Sequence, residues 1–522
     1  MGYENPRESE NTFTSDHHIT TNMFGIETFI VLVVCSLCYI LLKKRQDYWK
    51  QIGIPFEKPV LLFGNTLDIL RMKKSLSDIL RDLYFKYSNK RFFGIWVYHE
   101  PHLVLRCPEL IKQVLIKDFD NFYNRNVQSN EKVDPITANM MFFTKNPKWR
   151  FIRTSTTPMF SSGKLKYIYP QIEIVAKELV SFVSEKNPNI LFLKNITSKY
   201  STDVISSIAF GIDSHSFQDN DTPFTDVGKG VFEVSLRNTT AAATYFSKNP
   251  FVDLFRIRFV KASIANFLSD TFLNIIKERR FSEVQRRDLV DLMIELKEKH
   301  KFADNELIGQ ATQFFLAGYE TTSTTITFAL YELSLNKEVQ SKLRNEIDKS
   351  IENGEKFSYY TLKNVSYLHQ VVLETLRKYP PLPFLGRSCT NDYKIPGSNI
   401  TIEKDTPVMI PLMGIHYDPV YFPDPQKFDP ERFSEGNFMK IHPGSFLPFG
   451  DGPRNCIGQR IGLLSVKLAL AHFVRNFEFE AIEGTEVPIT FSPKTFTLTT
   501  NNPIGVHIRK LSENRSKESQ QR

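Results

Sequence analysis

Nineteen residues from Phe24 to Leu42, FGIETFIVLVVCSLCYILL, carry a single charge, Glu27. About 20 apolar residues cross a hydrocarbon core as a helix, so the pattern predicts a transmembrane signal-anchor over 23–42. Lys43-Lys44-Arg45 follows at once, whereas Arg7 is the only Lys or Arg in residues 1–22. The positive-inside rule then places the bulk of the chain on the cytosolic side. A cleaved signal peptide would want basic residues ahead of the run and a small-residue site behind it, and neither is there. Three later stretches have apolar residues at helical spacing. Asp304 to about Leu335 reads as one long helix, with Asp304 or Asn305 as its N-cap. Tyr367–Tyr379, YLHQVVLETLRKY, puts Leu368, Val371, Val372, Leu376 and Tyr379 at helical intervals and stops at Pro380-Pro381. Ile457 to Phe477 reads as an apolar helix entered from a glycine-rich turn.

No Gly/Ser linker or low-complexity stretch interrupts 61–510 of the 522 residues, which predicts one large unit with ample core. Around it the chain divides into a polar extension (1–22), a basic stop and hinge with Pro55 and Pro59 (43–60), and a polar, disordered tail (511–522). Lys and Arg number 66 against 58 Asp and Glu, a net charge of +8. The excess is spread out and no nucleic-acid motif accompanies it. It suits an anionic membrane surface or an acidic protein partner. The cysteines are five (Cys35, Cys38, Cys107, Cys389 and Cys456), a sparse, odd set that does not read as a disulfide framework.

One of them carries chemistry. Cys456 ends the run Phe449-Gly-Asp-Gly-Pro-Arg454-Asn-Cys456, just before the last apolar helix. Glycines let the backbone approach a flat partner closely. Amides at a helix start favour a thiolate, and a thiolate is a strong axial ligand for haem iron. Upstream, Glu374 and Arg377 share a helix face with apolar residues. Arg432, in Phe428-Asp-Pro-Glu-Arg432-Phe433, supplies a second guanidinium, so a buried carboxylate with two arginine partners is expected, in a structural role. The centre of the long helix reads Ala317-Gly318-Tyr319-Glu320-Thr321-Thr322. Gly318 there costs about 1 kcal/mol against alanine, and Glu320 and Thr321 offer an acid and an alcohol for proton delivery.

The cysteine run, the Glu374–Arg377 pair, the Arg432 loop and the Glu320-Thr321 step occur in the order found in cytochrome P-450 proteins, and the chain resembles that family over nearly its whole length. Pro158–Lys166, Arg377-Lys-Tyr-Pro-Pro-Leu-Pro383 and Leu447–Gly458 resemble most its microsomal, insect xenobiotic-metabolising branch. The resemblance implies a mostly α fold with small antiparallel β-sheets after one membrane helix. It implies haem b held non-covalently, with Cys456 as the axial ligand of the iron. Trp149, Arg153, Arg387, Arg454 and, as a looser match, Arg125 are then contacts of the haem propionates, and Phe449 and Gly318 adjoin the haem. Glu320 and Thr321 become the oxygen-side catalytic pair, and Phe142, Phe143, Phe314, Phe384 and Phe496 candidate walls of a substrate pocket. The implied activity is monooxygenation of lipophilic small molecules at the endoplasmic reticulum membrane: plant toxins, insecticides, or endogenous hormones and lipids. Electrons come from NADPH through a separate reductase, with cytochrome b5 as a second partner and a docking face near Lys148, Arg150 and Lys164. The alternatives are a non-catalytic haem or ligand carrier and a peroxide isomerase of the same fold. Glu320-Thr321 disfavours the isomerase.

Overall fold

The computed structural model describes residues 45–511 apart from 129, 219–221, 248–250, 282–285, 287 and 352–356, together with residue 2 and parts of 28–43. The predicted extension (1–22, residue 2 excepted), the tail from 512 on and residues 23–27, 35, 38, 41 and 42 of the membrane segment lie outside the described residues. The described part of that segment is helical, and Phe29, Ile30, Val31 and Leu32 are exposed. No helix among the described residues is long and apolar enough to cross a membrane.

The elements that build the site are β1 (Phe92–Val97), β2 (Glu100–Leu105), α1 (Lys148–Thr156), β3 (Ile190–Phe192), α2 (Leu193–Phe210), α3 (Leu236–Phe246), α4 (Asp304–Leu335), α5 (Ser366–Lys378), β4 (Phe384–Ser388), β5 (Pro407–Pro411), α6 (Gln459–Asn476), β6 (Phe477–Ala481) and β7 (Gly505–Lys510). The long helix α4 is buried on nearly every side, as expected of a helix through the centre of a large core. It packs against α2, α5 and α6. Neither Asp304 nor Asn305 caps it. The N-cap is Ala303, whose N–H donates to Glu306 Oε2 at 2.9 Å, so the acid three residues into the helix satisfies the free amide. Gly318 allows the close approach of α2, because a Cβ there would come within 2.6 Å of Ile205 Cδ1. Tyr200 ties α2 to α6 by donating to Ser465 O at 2.9 Å.

The main sheet runs β1-β2-β5-β4. It is mixed rather than purely antiparallel, because β2 and β5 pair in parallel, Leu103 with Val408 and Val104 with Met409. These strands are far apart in sequence, and no tight turn forces them to run antiparallel. The second sheet, β3-β7-β6, is antiparallel. The segment expected to be a hinge is partly built into the body. Tyr48–Gln51 is helical and Trp49 is fully buried, with its Nε1 donating to Ile95 O at 3.1 Å. Its ring occupies the space beside Gly94, where a Cβ would lie 2.5 Å from it.

Glu374 and Arg377 on α5 are both fully buried. Arg377 Nε and Nη2 donate to the two carboxylate oxygens at 2.7 and 2.9 Å. Its remaining protons reach His416 O and Pro425 O, so this guanidinium is well satisfied. Glu374 Oε1 also accepts Asp429 N–H at 3.0 Å. Arg432 Nε lies 3.4 Å from it as an ion pair without hydrogen-bond geometry. Burial pushes the Glu374 carboxyl up, and Arg377, the Asp429 amide and Arg432 pull it back. The cluster fixes the loop 424–433 to the C-terminal half of α5. Glu374→Ala leaves Arg377 buried without its acid, and the expected loss is about 3–5 kcal/mol, read as a lower urea midpoint.

Candidate haem and substrate site

The cysteine loop is shaped by two left-handed glycines, Gly450 at φ +69° and Gly452 at φ +70°. At Gly452 a Cβ would fall 1.9 Å from Leu115 O, so no side chain fits. Asn455 N–H donates to Gly452 O at 3.0 Å and Cys456 N–H to Phe449 O at 2.8 Å, which closes the turn. The helix α6 starts at Gln459, two residues after Ile457, and the Gly458 amide lies where it favours the ionised sulfur. Burial pushes the thiol up. That amide, Arg153 and Arg125 pull it back toward the thiolate. The sulfur lies deep within the chain and is still accessible, because it faces an internal cavity.

That cavity holds about 2130 Å³ of atom-free space, its open mouth included. Cys456, Phe449, Trp149 and the four arginines 125, 153, 387 and 454 line it, as do Ala317, Gly318 and Thr321 of α4. Arg153 donates to Asn455 O and Oδ1 at 2.8 and 2.7 Å, clamping the residue before the cysteine. Arg454 donates to Tyr123 O at 2.6 Å and Thr144 O at 3.0 Å, and its guanidinium stacks 4.1 Å from the Trp149 ring. Arg125 reaches Arg454 O at 3.2 Å. Arg387 donates one bond to Gly386 O, and its buried Nε has no acceptor. Burial, and for Arg125 and Arg454 also the neighbouring arginines, pushes Arg125, Arg387 and Arg454 well below the usual arginine range. Among the described residues no carboxylate lines the cavity. Four cations without an acid, one with an orphaned buried donor, suit a flat group that brings its own two carboxylates.

Thr321 faces the cavity, its hydroxyl donating to Ala317 O at 2.7 Å and leaving oxygen lone pairs free. Glu320 does not share this face. It is buried, its Oε2 lies 3.0 Å from Lys194 Nζ, and its Oε1 accepts from Thr324 at 3.1 Å. Side-chain exposure is 33% for Lys194 and 4% for Glu320, so the lysine is what connects this acid to solvent. Of the expected aromatic walls, Phe142, Phe314, Phe384 and Phe496 line the cavity. Phe143 does not. It is core, packed against Tyr245 and Phe259. In its place Phe246 of α3 lies over the cavity between Phe142 and Phe496, at centroid distances of 6.0 and 5.2 Å. Lys148, expected on a docking face, is paired with Glu306 at 3.0 Å and Arg150 with Asp120 at 3.4 Å.

Sequence reading missed Lys194, Asn455, Phe246 and His416. Asn455 was at hand, next to the cysteine. Lys194, 126 residues before Glu320, carried no local signal. His416 is buried between the two halves of the proximal structure: its Nε2 accepts Leu447 N–H at 3.1 Å, which leaves Nδ1 to donate to Arg377 O at 3.0 Å.

A mostly helical chain with one thiol aimed into a large cavity, ringed by arginines that have no acid there among the described residues, is built as a haem-thiolate site would be. The cytochrome P450 family model matches residues 54–506, and the chain belongs to that family. It is 37% identical to cytochrome P450 6k1 of Blattella germanica, covering 91% of this chain and 98% of that one. It is 37% identical to probable cytochrome P450 6a13 of Drosophila melanogaster, covering 92% and 98%, and 36% identical to cytochrome P450 6A1 of Musca domestica, covering 92% and 97%. Membership makes it a P450 monooxygenase, whose family carries haem with thiolate-bound iron.

Burial, with Arg377 beside it, pushes His416 down to about 3. Burial likewise pushes His369 and His472 down to about 4. Unfolded histidines take up protons below about 6.5, while these folded ones stay neutral. Stability is therefore lost as pH falls from about 6.5 toward 4, by up to about 1.4 kcal/mol per pH unit for each histidine, and these groups add no slope above that window. Urea unfolding across pH 4–7 checks this, and His416→Gln should show a shallower acid limb.

Proposed function

We propose that this P450 is a membrane-anchored, haem-b-dependent monooxygenase that oxidises neutral lipophilic small molecules: xenobiotics such as plant toxins and insecticides, or endogenous hormones and lipids. The observation that carries the reading is the single cavity that puts Cys456 and Thr321 on its walls with Phe142, Phe246, Phe384 and Phe496 around them. Haem bound there on the Cys456 sulfur supplies dioxygen binding and O–O bond cleavage. Phe449 and Gly458 set the approach to the sulfur. Arg125, Arg387, Arg454 and Trp149 would hold the propionate edge, with Arg153 fixing Asn455 beside the sulfur. Thr321 accepts a hydrogen bond in the cavity, and passing a proton inward requires its hydroxyl to leave Ala317 O. Glu320 faces Lys194 in the resting arrangement, so a relay from solvent runs through Lys194 and requires the carboxylate to exchange that partner for water or Thr321. The apolar walls exclude water and orient substrate.

The apolar run Phe24–Leu42 and the basic step after it support anchoring in the endoplasmic reticulum membrane, with the folded body facing the cytosol. Electrons then come from NADPH through a separate membrane reductase, with cytochrome b5 as a second donor. The basic face near Lys148, Arg150 and Lys164 suits their docking, with Lys148 and Arg150 exchanging their present partners Glu306 and Asp120 for the partner's acids.

Cys456→Ala is expected to abolish the thiolate-type absorbance of the reduced carbon monoxide complex. Retention of that band in the variant would disprove the ligand assignment. Thr321→Ala, reconstituted with reductase and NADPH, should keep that band and yield at least about tenfold less product per NADPH consumed. Unchanged coupling would remove Thr321 from the proton path.

A further inference from the structure

Gln313 lies on α4 one turn before Ala317 and two turns before Thr321, so the three share a face. All three line the cavity. Gln313 is the only amide side chain that α4 presents there among the described residues. Its orientation is settled by its partner: Oε1 accepts the backbone N–H of Phe142 at 2.6 Å, and a backbone amide can only donate. The other end, Nε2, is therefore an N–H donor, and it has no acceptor among the described residues. The hydroxyls of Thr321 and Thr325 spend their protons on helix carbonyls, Ala317 O and Thr321 O. Nearby walls from α2 and α3 are apolar: Val204, Ile205, Ile208 and Phe246.

We propose that Gln313 is the substrate-orienting donor of this site and that its preferred substrates are neutral lipophiles carrying a hydrogen-bond acceptor, such as a carbonyl or ether oxygen, at the end remote from the carbon that is oxidised. Eight residues of α-helix separate Gln313 from Thr321, which sets the acceptor on the order of 10 Å from the oxidised carbon. A substrate donor at that end is less well served, because Phe142 N–H already occupies one lone pair of Oε1 whereas Nε2 is free to donate. An amine finds no carboxylate. The Phe142 bond also holds Gln313 in place, so the donor is aimed before substrate arrives.

The inference rests on the monooxygenase reading, and the test separates the two. The probes are a para-methylbiphenyl bearing a methyl ketone at its far end and the shape-matched hydrocarbon bearing an isopropyl group. Each is equilibrated by dialysis with the haem-loaded full chain. The wild type should bind the ketone about tenfold tighter, the ratio expected for one hydrogen bond in an apolar cavity. Gln313→Glu keeps an acceptor for Phe142 N–H and replaces the donor by an oxygen. It should abolish the ketone preference while hydrocarbon affinity stays within about twofold. Gln313→Met, which loses both ends, should also bring the ratio to near one. A ratio near one in the wild type, or an unchanged preference in either variant, overturns the assignment, and the wild-type ratio decides even if a variant fails to fold. Absence of the reduced carbon monoxide thiolate band overturns the reading beneath it instead.

Discussion

Four guanidinium groups converge on one cavity with no carboxylate in its walls among the described residues, and much of the rest of the structure follows from that arrangement. Buried like charges repel one another and lose hydration, so by themselves they oppose folding. The chain meets part of that cost with carbonyl oxygens. Asn455 takes Arg153, Tyr123 and Thr144 take Arg454, and Gly386 takes Arg387. These bonds fasten the cysteine loop to α1 and to the segment 123–144, so the groups that await an anion also fix the position of the thiol. The residual charge, and the orphaned Nε of Arg387, are left for a cofactor that carries its own acids.

A second buried charge cluster supports this one from behind, and here the acid is present. Glu374 and Arg377 satisfy each other within one helix, and His416 links that helix to the cysteine loop by accepting from Leu447 and donating to Arg377. The tight glycine turn at 450–452, the neutral histidine and the paired α5 cluster form one continuous hydrogen-bonded support. On the opposite side, α4 presents small and hydroxylated residues to the same cavity, with its polar partners turned toward α2. The two sides differ in their chemistry: one holds fixed charge, the other offers hydroxyls and small side chains.

Much of this was legible in the chain. The helices α4, α5 and α6 follow from apolar spacing. Cys456 with its glycines, the Glu374–Arg377 pair and Thr321 follow from short local patterns, since each depends on neighbours within a turn or loop. The misread positions share a different property. Phe143 and Phe246 are both aromatic residues beside other aromatics, and only packing decides which faces the cavity. Glu320 stands next to Thr321 in sequence, but successive helix positions point about 100° apart, so adjacency does not give a shared face. The parallel pairing of β2 with β5 joins strands about 300 residues apart, for which no local pattern exists. Trp49 read as part of a hinge because nothing near it signals the space left by Gly94.

The sequence by itself determined the family, the thiol expected to meet the iron and the order of the supporting motifs, because these rest on covalent spacing along one strand of chain. Tertiary structure alone decided which way the polar groups of α4 face: Glu320 toward Lys194, Thr321 and the Gln313 amide toward the cavity. Those directions depend on partners supplied by α2 and by Phe142. The physical reason is that a hydrogen bond or ion pair is set by the position of its partner in space, and these partners come from remote segments of the chain.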